Sequence, residues 1–315
     1  MSDLIDVAII GGGPAGTTAG LYAARGKARA VIFERGMMGG QVVTTDRIEN
    51  YPGFPEGISG AELGELLHDQ AVAQGAEVIQ FADIIGLVHL DDGTFELVTP
   101  DETYRARTVI LATGSVPSKL DIPGEEEFTG RGVSWCATCD AMFYKEKPVA
   151  VIGGGDAAVE EAIFLTKFAS VVYLVHRRDE FRAAAVLVER ARQTESLEIV
   201  TPYIPIEIKG EEGKVSALVI ESADDQTIRE LEVSGVFEFV GANPQNVLAY
   251  DLLERDARGY IVTTIEGATS VPGLFCAGDI TQTPVKQIVT AAASGALAGL
   301  SAIHYLDQQD QEQRT

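Results

Sequence analysis

The sequence predicts an α/β fold in which one nucleotide-binding domain is inserted within another. Two segments carry that prediction by sharing one order of elements: a β-branched strand, a glycine-rich turn, an Ala-rich helix, a short turn and a second strand. The first is Asp6-Val7-Ala8-Ile9-Ile10 followed by Gly11-Gly12-Gly13-Pro14-Ala15-Gly16; the second is Val149-Ala150-Val151-Ile152 followed by Gly153-Gly154-Gly155-Asp156-Ala157-Ala158. Length is the third observation, because 315 residues exceed the roughly 250 at which single cores stop growing. One glycine turn is weak evidence, but two copies, each between a strand and a helix, read as two Rossmann-like dinucleotide-binding units.

The N-terminal stretch Met1 to Ile10 has no basic residue, carries Asp3 and Asp6, and runs straight into glycine, so no secretory or transit peptide is expected and the expected compartment is cytoplasmic. In the first turn Gly11, Gly13, Pro14, Ala15 and Gly16 let the backbone approach a pyrophosphate whose charge sits on free N–H groups at the helix start. The second strand, Ala30 to Phe33, ends in Glu34, eighteen residues after Gly16. A carboxylate there accepts hydrogen bonds from an unphosphorylated ribose, which suits the adenosine half of FAD, or NAD. Thr108 to Gly114 reads as a buried strand closing in the small turn Thr113-Gly114, with Pro117 and Pro123 marking a linker and a crossover.

In the second copy, Gly153, Gly155, Asp156 and Ala157 repeat the turn, but the residue eighteen past Ala158 is His176, followed by Arg177, Arg178 and, one helical turn on, Arg182. A guanidinium cluster in place of the acid matches a ribose 2′-phosphate through charge-assisted bonds, so this site is expected to prefer NADPH over NADH. Val236 to Gly241 reads as a strand ending before Asn243-Pro244, where the chain returns to its first domain. The expected layout is therefore residues 1–117 and 244–315 as one domain, an FAD-binding one, with an NADPH-binding domain, 118–243, inserted. Gly273 to Asp279 reads as a strand ending in a carboxylate, with a helix from about Pro284 whose dipole would stabilise negative charge on a reduced flavin ring. The low-polarity stretch Ile288 to Leu306, rich in Ala, Gly, Ser and Thr and containing His304, reads as a buried helix packed close to another backbone, not as a membrane span.

A net charge of −23, from 24 basic against 47 acidic side chains, repels phosphate backbones and anionic lipid surfaces, so neither nucleic acid nor membrane is an expected partner. Three cysteines cannot build a disulfide framework, and Cys136-Ala137-Thr138-Cys139-Asp140 points to redox chemistry or metal binding. Zinc would need two further ligands, and Cys276 and four scattered histidines have no metal-site spacing. A structural bridge across so short a ring would restrict the unfolded chain little. Asp140 is either a proton donor and acceptor for a departing thiolate or an ordinary helix-start carboxylate. Cys276, in an apolar strand, reads as a buried small hydrophobe.

These motifs, with Gly39-Gly40-Gln41, Asn50-Tyr51-Pro52-Gly53-Phe54, and Gly278-Asp279 followed by Lys286-Gln287, resemble those of the low-molecular-weight thioredoxin reductases over nearly the whole chain. The resemblance implies NADPH-dependent reduction of a thioredoxin disulfide through FAD and the Cys136–Cys139 pair. It implies that Gly39, Gly40, Gln41, Asn50, Thr113, Gly114, Asp279, Lys286 and Gln287 line the FAD. Cys139 would face the flavin and Cys136 would attack the partner disulfide. It also implies a homodimer, and a rotation of one domain against the other with hinges near Pro117 and Gly241. The family usually has glycine where this chain has Ala141, and Gly241-Ala242-Asn243-Pro244 departs from the usual return segment; neither change removes a reacting group. Alternatives are the same electron path serving a glutaredoxin-like protein or peroxiredoxin, a ferredoxin-linked reductase, which would lack the cysteine pair or the arginines, and a non-catalytic dinucleotide-binding redox sensor.

Overall fold

The computed structural model describes residues 4–45 and 47–312. By internal packing the chain divides into two compact units, Met1–Val116 with Asn243–Thr315, and Pro117–Ala242. In chain order, the first stretch contains β1 (Ile5–Ile10), α1 (Pro14–Arg25), β2 (Ala30–Glu34), α2 (Gly60–Ala73), β3 (Glu77–Gln80), β4 (Gly86–His89), β5 (Phe95–Val98), β6 (Thr103–Leu111) and β7 (Ser115–Pro117). There follow β8 (Val133–Ser134), α3 (Ala137–Asp140), β9 (Pro148–Ile152), α4 (Asp156–Leu165), β10 (Val171–Val175), α5 (Ala185–Arg192), β11 (Leu197–Val200), β12 (Tyr203–Glu211), β13 (Lys214–Ser222), β14 (Ile228–Glu232) and β15 (Gly235–Glu238). The return is made by β16 (Ala242–Pro244), β17 (Leu274–Cys276) and α6 (Ile288–Glu312). The chain crosses between units after Val116 and after Ala242, one residue earlier in each case than the sequence reading placed it.

In the first unit, strands run β3-β2-β1-β6-β5-β4, with β17 also on β6. The nine residues of β6 serve three neighbours: β1 along one edge, and on the other antiparallel β5 at its start and parallel β17 at its end. Alternate residues of β1 feed opposite cores, because successive side chains point to opposite faces. From Val7 onward this alternation holds: Ala8 and Ile10 join Phe33, Phe95 and Leu97, while Val7 and Ile9 join the Ala-rich helices. The second unit holds a parallel sheet, β11-β10-β9-β15-β8, and a separate antiparallel sheet, β12-β13-β14. Near-continuous apolar runs such as Val149 to Ile152 are what a parallel strand covered on both faces requires.

Two expected boundaries move. The strand read as Val236 to Gly241 ends at Glu238, because Gly241 adopts φ +130, a conformation that leaves the ladder. The last helix starts at Ile288, not near Pro284; residues 284–287 are an irregular lead-in, with the Gln287 N–H donating to Thr290 Oγ at 3.1 Å.

By length and composition alone α6 could cross a membrane. Its Ala291, Gly295, Ala298, Gly299 and Ala302 are nevertheless buried against α1. A β-carbon on Gly295 would stand 2.1 Å from the Ala15 carbonyl oxygen, and one on Gly299 2.7 Å from that of Ala19, so the small residues set how closely the two backbones approach. Gly295→Ala is accordingly expected to force α1 and α6 apart at a cost of about 1–3 kcal/mol. Thermal unfolding checks this, and an unchanged melting temperature would show that the contact is slack.

Candidate active site

The first glycine turn joins β1 to α1. Gly11 adopts φ +110, and a β-carbon at Gly16 would lie 1.8 Å from the Gly11 carbonyl oxygen. Helix α1 therefore starts hard against the strand end. Its N-cap, Gly13, makes no side-chain cap bond, which leaves the first N–H groups of the helix for a bound anion. Glu34 reaches back into the turn: its carboxylate accepts the Gly12 N–H at 2.7 Å and the Gly36 N–H at 2.8 Å, with lone pairs left for a diol. Gly39, in a positive-φ conformation, donates its N–H to the Gly12 carbonyl at 2.8 Å, and a Gly40 β-carbon would sit 3.1 Å from Gly13 Cα. Two glycine segments thus approach one another backbone to backbone, with Met38 packed against Gly12 and Val43 against Gly39.

Gln41 donates its amide to the Ser115 carbonyl, and the Thr113 hydroxyl donates to that of Gln245 at 2.5 Å. Gly114, at φ +74, faces open space. Asn50 donates to the Gln287 side-chain oxygen at 3.0 Å. Asp279 follows β17, in the short turn Gly278–Ile280, which is held by the Gly278 N–H donating to Ser294 Oγ at 2.8 Å. Its Oδ1 is buried without a hydrogen-bond partner among the described residues, and burial pushes the carboxyl above its ordinary value against the pull of Lys286. Lys286 Nζ donates to the Asp279 carbonyl at 2.8 Å and stands 4.0 Å from the centre of the Tyr260 ring; burial lowers its own pKa, against the pull of Asp279. The sequence reading missed Ser294 and Tyr260, which carry no local motif; only the fold brings them to Gly278 and Lys286.

The second turn joins β9 to α4. Gly153 has φ +150, and Gly155, the N-cap, again makes no side-chain cap bond and opens onto free space. Where Glu34 binds the middle glycine of the first turn, the buried His176 ring packs against Gly154, whose β-carbon would meet it at 2.3 Å. Burial, and more weakly the neighbouring arginines, lowers the His176 pKa against a backbone bond at Glu180, and its Nε2 has no partner among the described residues. Arg182 is not on a helical turn: 177–184 is a loop, and α5 starts at Ala185. The loop is tied to the turn by backbone bonds from Arg182 and Ala183 to Gly154 at 2.8 and 3.1 Å, and by Asp156 accepting the Ala184 N–H at 2.7 Å. Asp156 therefore shapes the site through the loop. Arg177, Arg178 and Arg182 are exposed, and among the described residues none is paired with a carboxylate.

Cys136 and Cys139 form a disulfide, with Cα atoms 5.3 Å apart. Cys136 is the N-cap of α3 and Cys139 lies within it; both are half-buried, as is Asp140. Ser134 Oγ accepts the Cys136 N–H at 3.1 Å. Asp140 is the last residue of this short helix, and Tyr144, pushed to about 12 by burial and by the Asp140 charge, stands behind it. Among the described residues no cluster of His, Cys, Asp and Glu could hold a metal, and the third cysteine, Cys276, is in β17 at 1% exposure.

A family model described as pyridine nucleotide-disulphide oxidoreductase matches residues 5–295. The chain is 46% identical over 311 residues to a thioredoxin reductase of Helicobacter pylori, covering 96% of this chain and 99% of that protein. It is 42% identical over 308 residues to a thioredoxin reductase of Mycolicibacterium smegmatis, covering 97% of each. The crystal structure of thioredoxin reductase from Streptococcus pyogenes superposes with a TM-score of 0.91 at 41% identity, covering 98% of this chain and 100% of that one.

Burial pushes the Cys276 thiol far up, which suppresses the thiolate that reacts. After mild reduction, only Cys136 and Cys139 are expected to react quickly with a thiol reagent, and Cys276 only on unfolding. Rapid labelling of Cys276, read by mass spectrometry, would contradict this.

Proposed function

The chain belongs to the pyridine nucleotide-disulphide oxidoreductase family, and from that premise we propose that it is an NADPH-dependent thioredoxin-disulfide reductase. The observation that carries the reading is one polypeptide holding two glycine turns with opposite ribose signals, Glu34 against Arg177, Arg178 and Arg182, beside a Cys136–Cys139 disulfide.

The residues fit both cofactors. The glycine backbone of Gly11–Gly13 and Gly39–Gly40 takes a pyrophosphate, and Glu34 takes the ribose of FAD. The unpartnered Oδ1 of Asp279 and the cluster of Lys286, Asn50 and Gln287 receive its polar remainder. The uncapped start of α4 takes the NADPH pyrophosphate, and the three unpaired guanidiniums its 2′-phosphate. Bound NADPH and FAD supply hydride donation and acceptance. Two electrons then cleave the Cys136–Cys139 bond, with two protons taken up, one of them handled by Asp140. The Cys136 thiolate attacks the thioredoxin disulfide and forms a mixed disulfide; Cys139 displaces it, which restores the Cys136–Cys139 bond and releases thioredoxin as a dithiol.

Both the disulfide and the second glycine turn belong to the unit Pro117–Ala242, so one flavin face has to serve two neighbours in turn. A rotation about the crossings near Pro117 and Gly241 meets that need. We further read the protein as a cytoplasmic homodimer. A groove of about 400 Å³ on α6, lined by Phe275, Leu297, Leu300 and Tyr305, is apolar surface that a second copy would cover.

Anaerobic titration of the FAD-loaded protein tests the reading. NADPH should bleach the flavin in preference to NADH, oxidised thioredoxin should restore its colour, and Cys136→Ser should abolish the recovery. Bleaching without recovery would remove thioredoxin as the acceptor. A charged hydrogen bond is worth about 1.5–3 kcal/mol, so Arg177→Ala or Arg178→Ala should raise the KM for NADPH roughly tenfold or more and leave that for NADH nearly unchanged. Equal losses with both nucleotides would contradict the 2′-phosphate assignment.

A further inference from the structure

Immediately before the disulfide lies a polar cluster that the mechanism above does not use. Strand β8 pairs in parallel with β15, Val133 beside Val236 and Ser134 beside Phe237; one step further, the same register sets Trp135 beside Glu238. The Trp135 indole N–H donates to Glu238 Oε2 at 3.1 Å. Glu238 is 1% exposed. Its other oxygen, Oε1, is buried with no donor among the described residues.

The group that faces Glu238 is a second buried carboxyl, Glu125, at 2% exposure. Glu125 accepts the Leu120 N–H at 3.1 Å and the Ile122 N–H at 3.3 Å, one on each oxygen. Two ionised carboxylates are acceptors only and repel one another; a single proton between them supplies the donor that Glu238 Oε1 lacks. Among the described residues the cation that acts on Glu238 is Lys119, whose side chain is exposed.

We propose that Glu125 and Glu238 hold one proton between them, and that this buried pair, acting through the Trp135 indole, is a positioning element for Cys136, so that losing the proton changes the reactivity of the redox thiols. The proposal rests on the functional reading above only in taking Cys136 and Cys139 as the exchanging pair. Its physical chain is short. Trp135 is the residue before Cys136, which caps α3, and it packs against the same buried core of this unit as Leu120, Ile122 and Val240. While the proton is present, Glu238 accepts the indole N–H as a neutral carboxyl; the bond favours the ionised form, so losing the proton tightens the hold of Glu238 on the indole. Burial, and then the Glu125 charge, carries the Glu238 pKa up to about 8, so the proton stays through neutrality and is lost in mild alkali. Two buried negative charges then repel, and Trp135, hydrogen-bonded to the displaced Glu238 carboxylate, passes the change to the residue beside it, Cys136. The sign agrees with linkage. Between the ordinary carboxyl value and about 8 the folded chain binds more protons than the unfolded one, so stability falls as pH rises across that window.

Trp135 is the only tryptophan in the chain, so its emission reports the bond without involving activity. In the FAD-loaded protein the emission is expected to titrate with an inflection near pH 8, and Glu238→Gln, which keeps shape and an acceptor, should remove it. If Glu238→Gln does not fold, Glu125→Gln serves instead, moving the inflection down by about one unit or more because the like charge is gone. After reduction with dithiothreitol, the rate of iodoacetamide alkylation at Cys136 and Cys139 should show the same inflection in the parent protein and lose it in the variant. A flat emission, an inflection that survives Glu238→Gln, or an alkylation profile unchanged by the variant overturns the proposal. Thioredoxin turnover with none of these inflections would leave the functional reading standing without the proton pair; inflections without turnover would do the reverse.

Discussion

At Gly16 a β-carbon would lie 1.8 Å from the Gly11 carbonyl oxygen, and any residue but glycine would lever the helix off its strand. That close approach fixes the first nucleotide site. A helix seated this near the sheet presents its uncapped N–H groups at the strand's carboxyl end, where the dipole favours an anion. The second copy relaxes the same constraint: Ala158 stands in the corresponding place, and Gly153 takes the crowding instead, its β-carbon position being 2.7 Å from Ala158 Cβ and 2.6 Å from the Phe239 carbonyl oxygen. In both turns a residue at the end of the next strand meets the middle glycine: Glu34, the last of β2, by a hydrogen bond, and His176, just past β10, by packing. On the proposed assignment, Glu34 would meet the ribose from a position set by the same contact that places the pyrophosphate.

Leaving a buried polar atom unsatisfied costs about 1–3 kcal/mol, so such atoms locate places where stability has been set aside. His176 Nε2, Glu238 Oε1 and Asp279 Oδ1 are three of them among the described residues. One lies under the second glycine turn, one beside the redox disulfide and one at the end of β17. In a chain of net charge −23, two buried carboxyls are also kept away from the surface repulsion, and their protonation is set by desolvation and immediate neighbours instead of by the overall field.

The glycine turns, Glu34, the arginines and the cysteine pair were legible in the sequence because each rests on local spacing: a turn, a strand of fixed length, a ring of four residues. The boundaries that moved depend on single backbone conformations. Gly241 at φ +130 ends β15 early, and the 177–184 loop has no periodicity that separates it from a helical turn. The place of Asp156 in the turn was legible, but its bond to Ala184 was not, because it joins elements far apart in sequence. Trp135 and Glu238 were invisible for the same reason. Each is unremarkable alone, and only the parallel register of β8 and β15 puts them side by side.

On the proposed assignment, the divergence of the two turns has a kinetic meaning. Glu34 is held by two backbone N–H groups and lies against glycine backbone, so little is left to order when a ligand arrives. Arg177, Arg178 and Arg182 are long, exposed and unpaired among the described residues, so a nucleotide must order three side chains and displace their hydration. The first arrangement suits a cofactor that stays, and the second one that leaves after each hydride. The contrast also separates their sensitivities. Screening by salt weakens attraction between an exposed guanidinium and a phosphate, while Glu34's hydrogen bonds, part-buried and to backbone, are screened much less. A single duplicated unit can thus supply both a resident and an exchangeable site, with the difference set at the end of one strand.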